Sequence, residues 1–170
     1  MTMVELAGPS ERSEFAAVVV RTDFTDEAAW HRVTTELRKS ALDDADPAAS
    51  YVALDAPGAD PSSDAGLDAL LAEVAARGES WEEAAVLFVA DGAALRAEPA
   101  ALLAVTTFTR DDLDEEEYAE LVEFGRAFRT LPDGVHAIHA NLELGNMGFE
   151  EYAASAHEAP DGMFHDFLDS

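Results

Sequence analysis

The chain contains no cysteine among its 170 residues. That absence removes disulfide bridges, thiolate zinc sites, iron–sulfur clusters and cysteine nucleophiles together, and leaves an apolar core to hold the fold. The length allows it: a domain of this size buries roughly 70% of the surface its unfolded chain exposes. Long apolar runs are missing too. None approaches the ~20 residues that span a bilayer, and the opening MTMVELAGPSERSEF has neither a basic start nor a signal-type apolar stretch. A cytoplasmic location is the expectation from those missing signals.

Positive charge is scarce. Lys and Arg number 10 against 36 Asp and Glu, a formal net charge of -26, and Lys39 is the only lysine. Phosphate backbones and anionic membranes bind through clustered cations, so neither direct nucleic-acid binding nor membrane attachment is expected. Two readings of the acidity stand side by side: a surface that docks a basic partner or imitates a polyanion, and a composition that serves solubility. Phosphate-cradling loops are also lacking. RTDFTDEAAW, after the first strand-like run, has no glycine, and no Gly-x-Ser-x-Gly elbow occurs. Standard nucleotide enzymes and serine hydrolases are thereby disfavoured.

What the sequence does have is pattern. Residues 1–14 show no period and read as a flexible tail, and 15–170 read as one α/β domain. FAAVVVRTDF, SYVALDAP and AAVLFVAD are apolar runs of strand length, the mark of strands covered on both faces. Between them Trp30, Val33 and Leu37, then Leu67, Leu70, Leu71 and Val74, recur at helical spacing, with Thr25 placed as the first helix cap. That alternation predicts parallel strands with right-handed crossovers. ALLAVTTF and GRAFRTLP then form an antiparallel hairpin with an acidic helical insertion, 109–124, at its tip. A helix follows with Val135, Ile138 and Leu142 inward and Gly145 as its cap, and a last short helix begins at Phe149. The expected fold is a single α/β domain with a mixed, mostly parallel five-stranded sheet flanked by helices and a C-terminal helical segment.

The stretches VVVRTDFTDEAAW, LFVAD, LLAVTTF, GRAFRTLP, NLELGNMGFEEYA and DGMFHDF run through most of residues 15–167. On them the chain resembles an actinobacterial (Streptomyces-type) conserved domain-of-unknown-function family, with its Arg-Thr-Asp-Phe and Asn-Leu-x-x-x-Asn-Met-x-Phe motifs. The resemblance implies a shared fold; it brings no activity, ligand or catalytic residue. The acidic stretch RDDLDEEEYAELVEF departs from the family pattern.

Three constellations can carry chemistry. Asp23, Asp55 and Asp91, with Thr106 or Thr107, fall at strand ends, where open α/β sheets bind ligands and where carboxylates can hold magnesium. A receiver-type phosphoacceptor site would also require a lysine near the last strand, and Lys39 sits in the first helix. Helix caps and turns are the preferred reading of these aspartates. Arg21, Arg126 and Arg129 stand out against the acidic background. Arg21 and Arg129 can form an anion pocket with the amides of Asn141 and Asn146, or pair internally with carboxylates such as Asp23. His136, His139 and Glu143 share a helix face and are weak candidates for a metal set. The expectation is no metal, no cofactor and no catalytic residue. Trp30, Trp81 and the aromatics Phe149, Tyr152, Phe164 and Phe167 read as core or as the seam under the C-terminal segment.

The preferred function is a non-catalytic, acidic interaction module, immunity- or inhibitor-like. It would mask a basic protein surface through Asp114, Glu115, Glu116 and Glu117 and the edge at Met147 and Phe149. The alternative is a small-ligand or metal-dependent enzyme or sensor using Arg21, Asp23, Asp91 and Arg129. Geometry separates the two: an enzyme gathers these side chains around a pocket, whereas a binding module leaves them bonded to one another. Oligomeric state is not encoded in any of these signals.

Overall fold

The computed structural model describes residues 17–39, 51–57, 59–61, 63–76, 84–96, 100–145, 147–160 and 162–164. The tail assigned to 1–14, and Trp81, Asn146 and Phe167, lie outside them. Six strands, β1 (Ala17–Arg21), β2 (Tyr51–Asp55), β3 (Val86–Ala90), β4 (Leu102–Thr106), β5 (Ala127–Thr130) and β6 (Met163–Phe164), form one sheet in the order β2-β1-β3-β4-β5-β6. The helices are α1 (Glu27–Lys39), α2 (Asp64–Ala75), α3 (Gly92–Arg96), α4 (Glu115–Leu121), α5 (Val135–Leu144) and α6 (Phe149–Glu158).

β1 pairs in parallel with β2 and β3, β4 runs antiparallel to both β3 and β5, and β5 pairs in parallel with β6. The α/β class, the mixed sheet and the β4–β5 hairpin agree with the sequence reading. The strand count does not, since β6 makes six where five were expected. β6 is two residues long, too short to show a period, and exists because Met163 and Phe164 fall in register with Arg129 and Thr130. Phe164 is anchored edge-on to Tyr152, with ring centroids 4.9 Å apart.

Strand chemistry follows position in the sheet. β1 (AVVVR) and β3 (VLFVA) are buried along their whole length, as β-branched and aromatic residues between two covering layers should be. On one face Val19, Phe88, Ala104 and Phe128 pack with Val33, Leu37, Ile138 and Tyr152 from α1, α5 and α6. On the other, Val18, Val20, Leu87, Val89 and Val105 pack with Leu67, Leu70 and Val74 of α2. β5 alternates between buried and half-buried, because its second face lacks such a helix among the described residues.

Local termini are chemically specified. α1 starts one residue later than the sequence reading placed it: Asp26 Oδ1 accepts the Ala29 N–H at 3.0 Å and acts as the cap. Thr25 is unavailable because its N–H and hydroxyl both donate to Asp23 Oδ1, at 2.8 and 2.6 Å. α4 carries a capping box in which Asp114 accepts from the Glu117 N–H and Glu117 accepts from the Asp114 N–H. α5 ends at Gly145, whose φ of 76° is the left-handed cap expected of it.

The two ends of the strands differ. α1 and α2 leave to opposite faces, so the strand order reverses between β1 and β3, and a switch-point crevice opens at their carboxyl ends. The hairpin tip with α4 lies at the opposite end of the strands, beside the amino end of β3, which we call the base. No helix of the described residues is long and apolar enough to cross a membrane.

Candidate functional site

The switch-point crevice has a volume of about 590 Å³, with Thr22, Asp23, Pro61, Asp91, Gly92 and Arg96 in its lining. Asp23 is fixed by Thr25; the hydroxyl bond first, then the backbone N–H bond, hold its carboxyl below the usual carboxylate value. Its Oδ2 lies 4.0 Å from Arg96 Nη1. A Cβ at Gly92 would sit 2.6 Å from Asp23 Oδ2 and 2.7 Å from Arg96 Nη1, so the glycine lets these two charges close over the start of α3.

Asp91 is committed elsewhere. Its two oxygens take a bidentate pair from Arg129, at 2.9 and 3.0 Å, and Oδ1 also accepts the Ala94 N–H at 2.9 Å. Arg129 adds a bond to the Ala101 carbonyl at 3.1 Å. A cation at Asp91 would have to displace a guanidinium whose fork already matches the carboxylate. Arg21 lies on the other face of the sheet, 6% exposed, between the rings of Phe24 (4.4 Å) and Trp30 (4.9 Å). It pairs with Glu27 and donates Nε–H to the Asp23 carbonyl at 3.2 Å.

The remaining sequence candidates scatter. Asp55 is exposed at the end of the edge strand β2, in register with Arg21. Thr106 and Thr107 fall at the base and not at the crevice, because β4 is antiparallel to β3; the Thr107 hydroxyl donates to the Ala84 carbonyl at 2.6 Å. Arg126, also at the base, pairs with Asp68 at 2.8 Å and Asp64 at 3.7 Å. The Asn141 amide donates to the Tyr152 hydroxyl at 2.8 Å, and the structure does not bring it to Arg21 or Arg129.

His136 Nε2 lies 2.7 Å from the Leu37 carbonyl, in the last turn of α1, and donates to it across 99 positions of sequence. Burial depresses its pKa, so the ring is neutral where an exposed histidine begins to charge. Glu143 accepts the Ala85 N–H at 3.2 Å, and His139 is fully buried. Among the described residues no group of three His, Asp or Glu side chains is arranged to hold a metal ion.

At the base, Glu115, Glu116, Glu120 and Glu123 are exposed on and beside α4, while Tyr118 is buried beneath the Arg110 guanidinium at 4.9 Å. Asp114 and Glu117, expected as contact residues, hold the helix start through the capping box. Met147 is half-buried, whereas Phe149 is 3% exposed and packs on Phe128 with centroids 5.1 Å apart, a core residue in this fold. Phe108 and Leu144 are the exposed apolar residues of this end, at 40% and 60%. Sequence reasoning missed them because an apolar residue at the end of an element carries the same signal as a core residue.

Comparison with curated proteins and with solved structures finds no match. A family model does match, that of the Domain of unknown function (DUF6924), over residues 16–167. With nearly the whole chain inside that match, the protein belongs to the DUF6924 family.

Proposed function

We propose that the chain is a non-catalytic, acidic interaction module that covers a basic surface of a partner protein, in the manner of an immunity protein or inhibitor. The observation that carries this reading is the difference in charged groups between the two ends of the strands. At the crevice, Asp91 is bonded to Arg129 and Arg21 to Glu27. At the base, Glu115, Glu116, Glu120 and Glu123 are exposed, and among the described residues none of them makes an ion pair. A short helix pinned by its capping box presents these carboxylates on a rigid ridge, which steers and orients a basic partner at low cost in entropy.

The test is affinity capture from a lysate of the native host at ~0.15 M salt. The variant Glu115→Ser, Glu116→Ser, Glu120→Ser, Glu123→Ser keeps the capping box and is expected to lose a partner that wild type retains. A control with the same charge change elsewhere, Glu36→Ser, Asp55→Ser, Asp60→Ser, Glu73→Ser, is expected to keep it. Equal recovery by all three proteins, or no partner from wild type, contradicts the proposal.

A second reading rests on the crevice, where Asp23 and Arg96 face a cavity at the switch point: a small-ligand or metal-dependent enzyme or sensor. A thermal-shift screen with magnesium, manganese, zinc, nucleotides and small anions, at fixed ionic strength, separates it from the first. A selective shift that Asp23→Ala abolishes favours the crevice. A uniform response to every cation favours the acidic surface.

A further inference from the structure

The face of the sheet that packs on α2 carries no other helix among the described residues. At the base this leaves a cavity of about 650 Å³, lined by Leu71 and Val74 of α2 and by Thr109, Arg110 and Tyr118 from the chain after β4. That volume suits a small molecule or one long side chain. The switch-point crevice shares no lining residue with it.

Four carboxylates line this cavity, Asp64, Asp68, Asp111 and Asp112, against two guanidiniums, Arg110 and Arg126. Arg126 is already committed. Its Nη2 donates to Asp68 at 2.8 Å, its Nη1 lies 3.7 Å from Asp64, and its Nε, which has no acceptor, is buried. An anion would have to displace two aspartates to reach it, so the charge of the cavity favours a cation. Arg110 is held differently. It is exposed, makes no ion pair among the described residues, and rests its guanidinium 4.9 Å from the centroid of the Tyr118 ring. A second cavity, lined in part by Glu115 and Glu116, shares Arg110 and Tyr118 with the first. The Tyr118 ring thus belongs to an acidic setting in which its face takes a guanidinium that no carboxylate holds.

We propose that this cavity binds an organic cation, an alkyl chain ending in a guanidinium or ammonium group, which takes the Tyr118 ring face in place of Arg110. The aspartates supply the opposite charge, and Leu71 and Val74 give the alkyl chain an apolar wall. A ring face prefers a weakly hydrated organic cation to a strongly hydrated metal ion. Arg110 is then a tethered competitor that sets the affinity. A free small amine and an arginine side chain of a partner carry the same chemistry, so the inference stands whether or not the chain masks a basic protein.

The probes are butylguanidinium and a capped Gly-Arg-Gly peptide, titrated at a fixed ionic strength of ~0.15 M with sodium and magnesium as controls. Binding is followed by magnetic resonance, from the Tyr118 ring protons and the amides of 107–118. A saturable shift with butylguanidinium, absent with both metal ions, is expected. Arg110→Ala is expected to tighten binding about threefold or more, and Tyr118→Leu to weaken it about fivefold, while Asp23→Ala at the crevice leaves it unchanged. Tighter binding of the peptide than of butylguanidinium supports the site and assigns it to a partner's side chain; weaker binding supports it and assigns it to a free molecule. No saturable shift, an equal response to sodium, or an affinity that Arg110→Ala leaves unchanged overturns the site. Should Tyr118→Leu fail to fold by its melting curve, Arg110→Ala alone decides, since that side chain is exposed.

Discussion

Asp91 carries three bonds at once, two to the Arg129 guanidinium and one to the Ala94 N–H at the start of α3. With its side chain only 13% exposed, its truncation leaves a partly buried cation and an orphan helix donor. Asp91→Ala should therefore cost about 2–3 kcal/mol, from the loss of a charge-assisted bond and a cap. At this chain length that reads as a melting temperature lower by about 5–10 °C. Arg129→Lys should recover less than half of the pair, because a point charge cannot make both bonds. The opposite sign would be informative: a residue kept for chemistry at the expense of the fold raises stability when removed, and a higher melting temperature for Asp91→Ala would move the site to the crevice. Both partners were visible in the sequence as charged residues at strand ends. Their pairing was not, because it depends on β5 lying two strands from β3 and running in the same direction.

At the scale of elements, α2 docks more closely than a side chain allows. A Cβ at Gly66 would lie 1.6 Å from the Asp60 carbonyl oxygen, a backbone atom that cannot swing aside. Although alanine favours helix, Gly66→Ala should destabilise by about 1–3 kcal/mol, measured by denaturant unfolding; a neutral or stabilising result would show that the loop before α2 yields freely. The contact between α1 and α5 sets a pH dependence. His136 is neutral in the fold, with a pKa below the ordinary 6.5, and donates to the Leu37 carbonyl. As pH falls below about 6.5 the unfolded chain takes up this proton first, so the contribution present above that value is lost on acidification, by at most about 1.4 kcal/mol per pH unit. His136→Gln keeps a donor and does not titrate. Its stability should fall less than that of wild type between about pH 7.5 and 5.5; parallel profiles would refute the role. Sequence spacing put His136 and His139 on one helix, but a bond across 99 positions has no local signature. The same holds for β6, whose two residues become a strand only where β5 is already in place. The valine-rich strands and the helical stripes of α1 and α2 were legible because their periods are local.

The whole molecule is governed by a net charge of -26. Self-repulsion on that scale weakens the folded state, so sodium chloride from about 10 to 200 mM should raise the melting temperature. Each kcal/mol gained would read as about 2–4 °C, and a flat response would mean that the carboxylates are spaced widely enough not to interact. The sign of the charge and the acidic insertion were readable at once from composition. That Asp91 and Arg129 pair at the crevice, while Glu115, Glu116, Glu120 and Glu123 make no ion pair among the described residues, is a property of topology. The direct test of the account is hydrogen exchange across the chain with and without a lysine-rich peptide at saturation. Protection confined to 109–124, with the crevice unchanged, is the predicted result. Protection at 22–25 and 91–96, with the base unaffected, would contradict it.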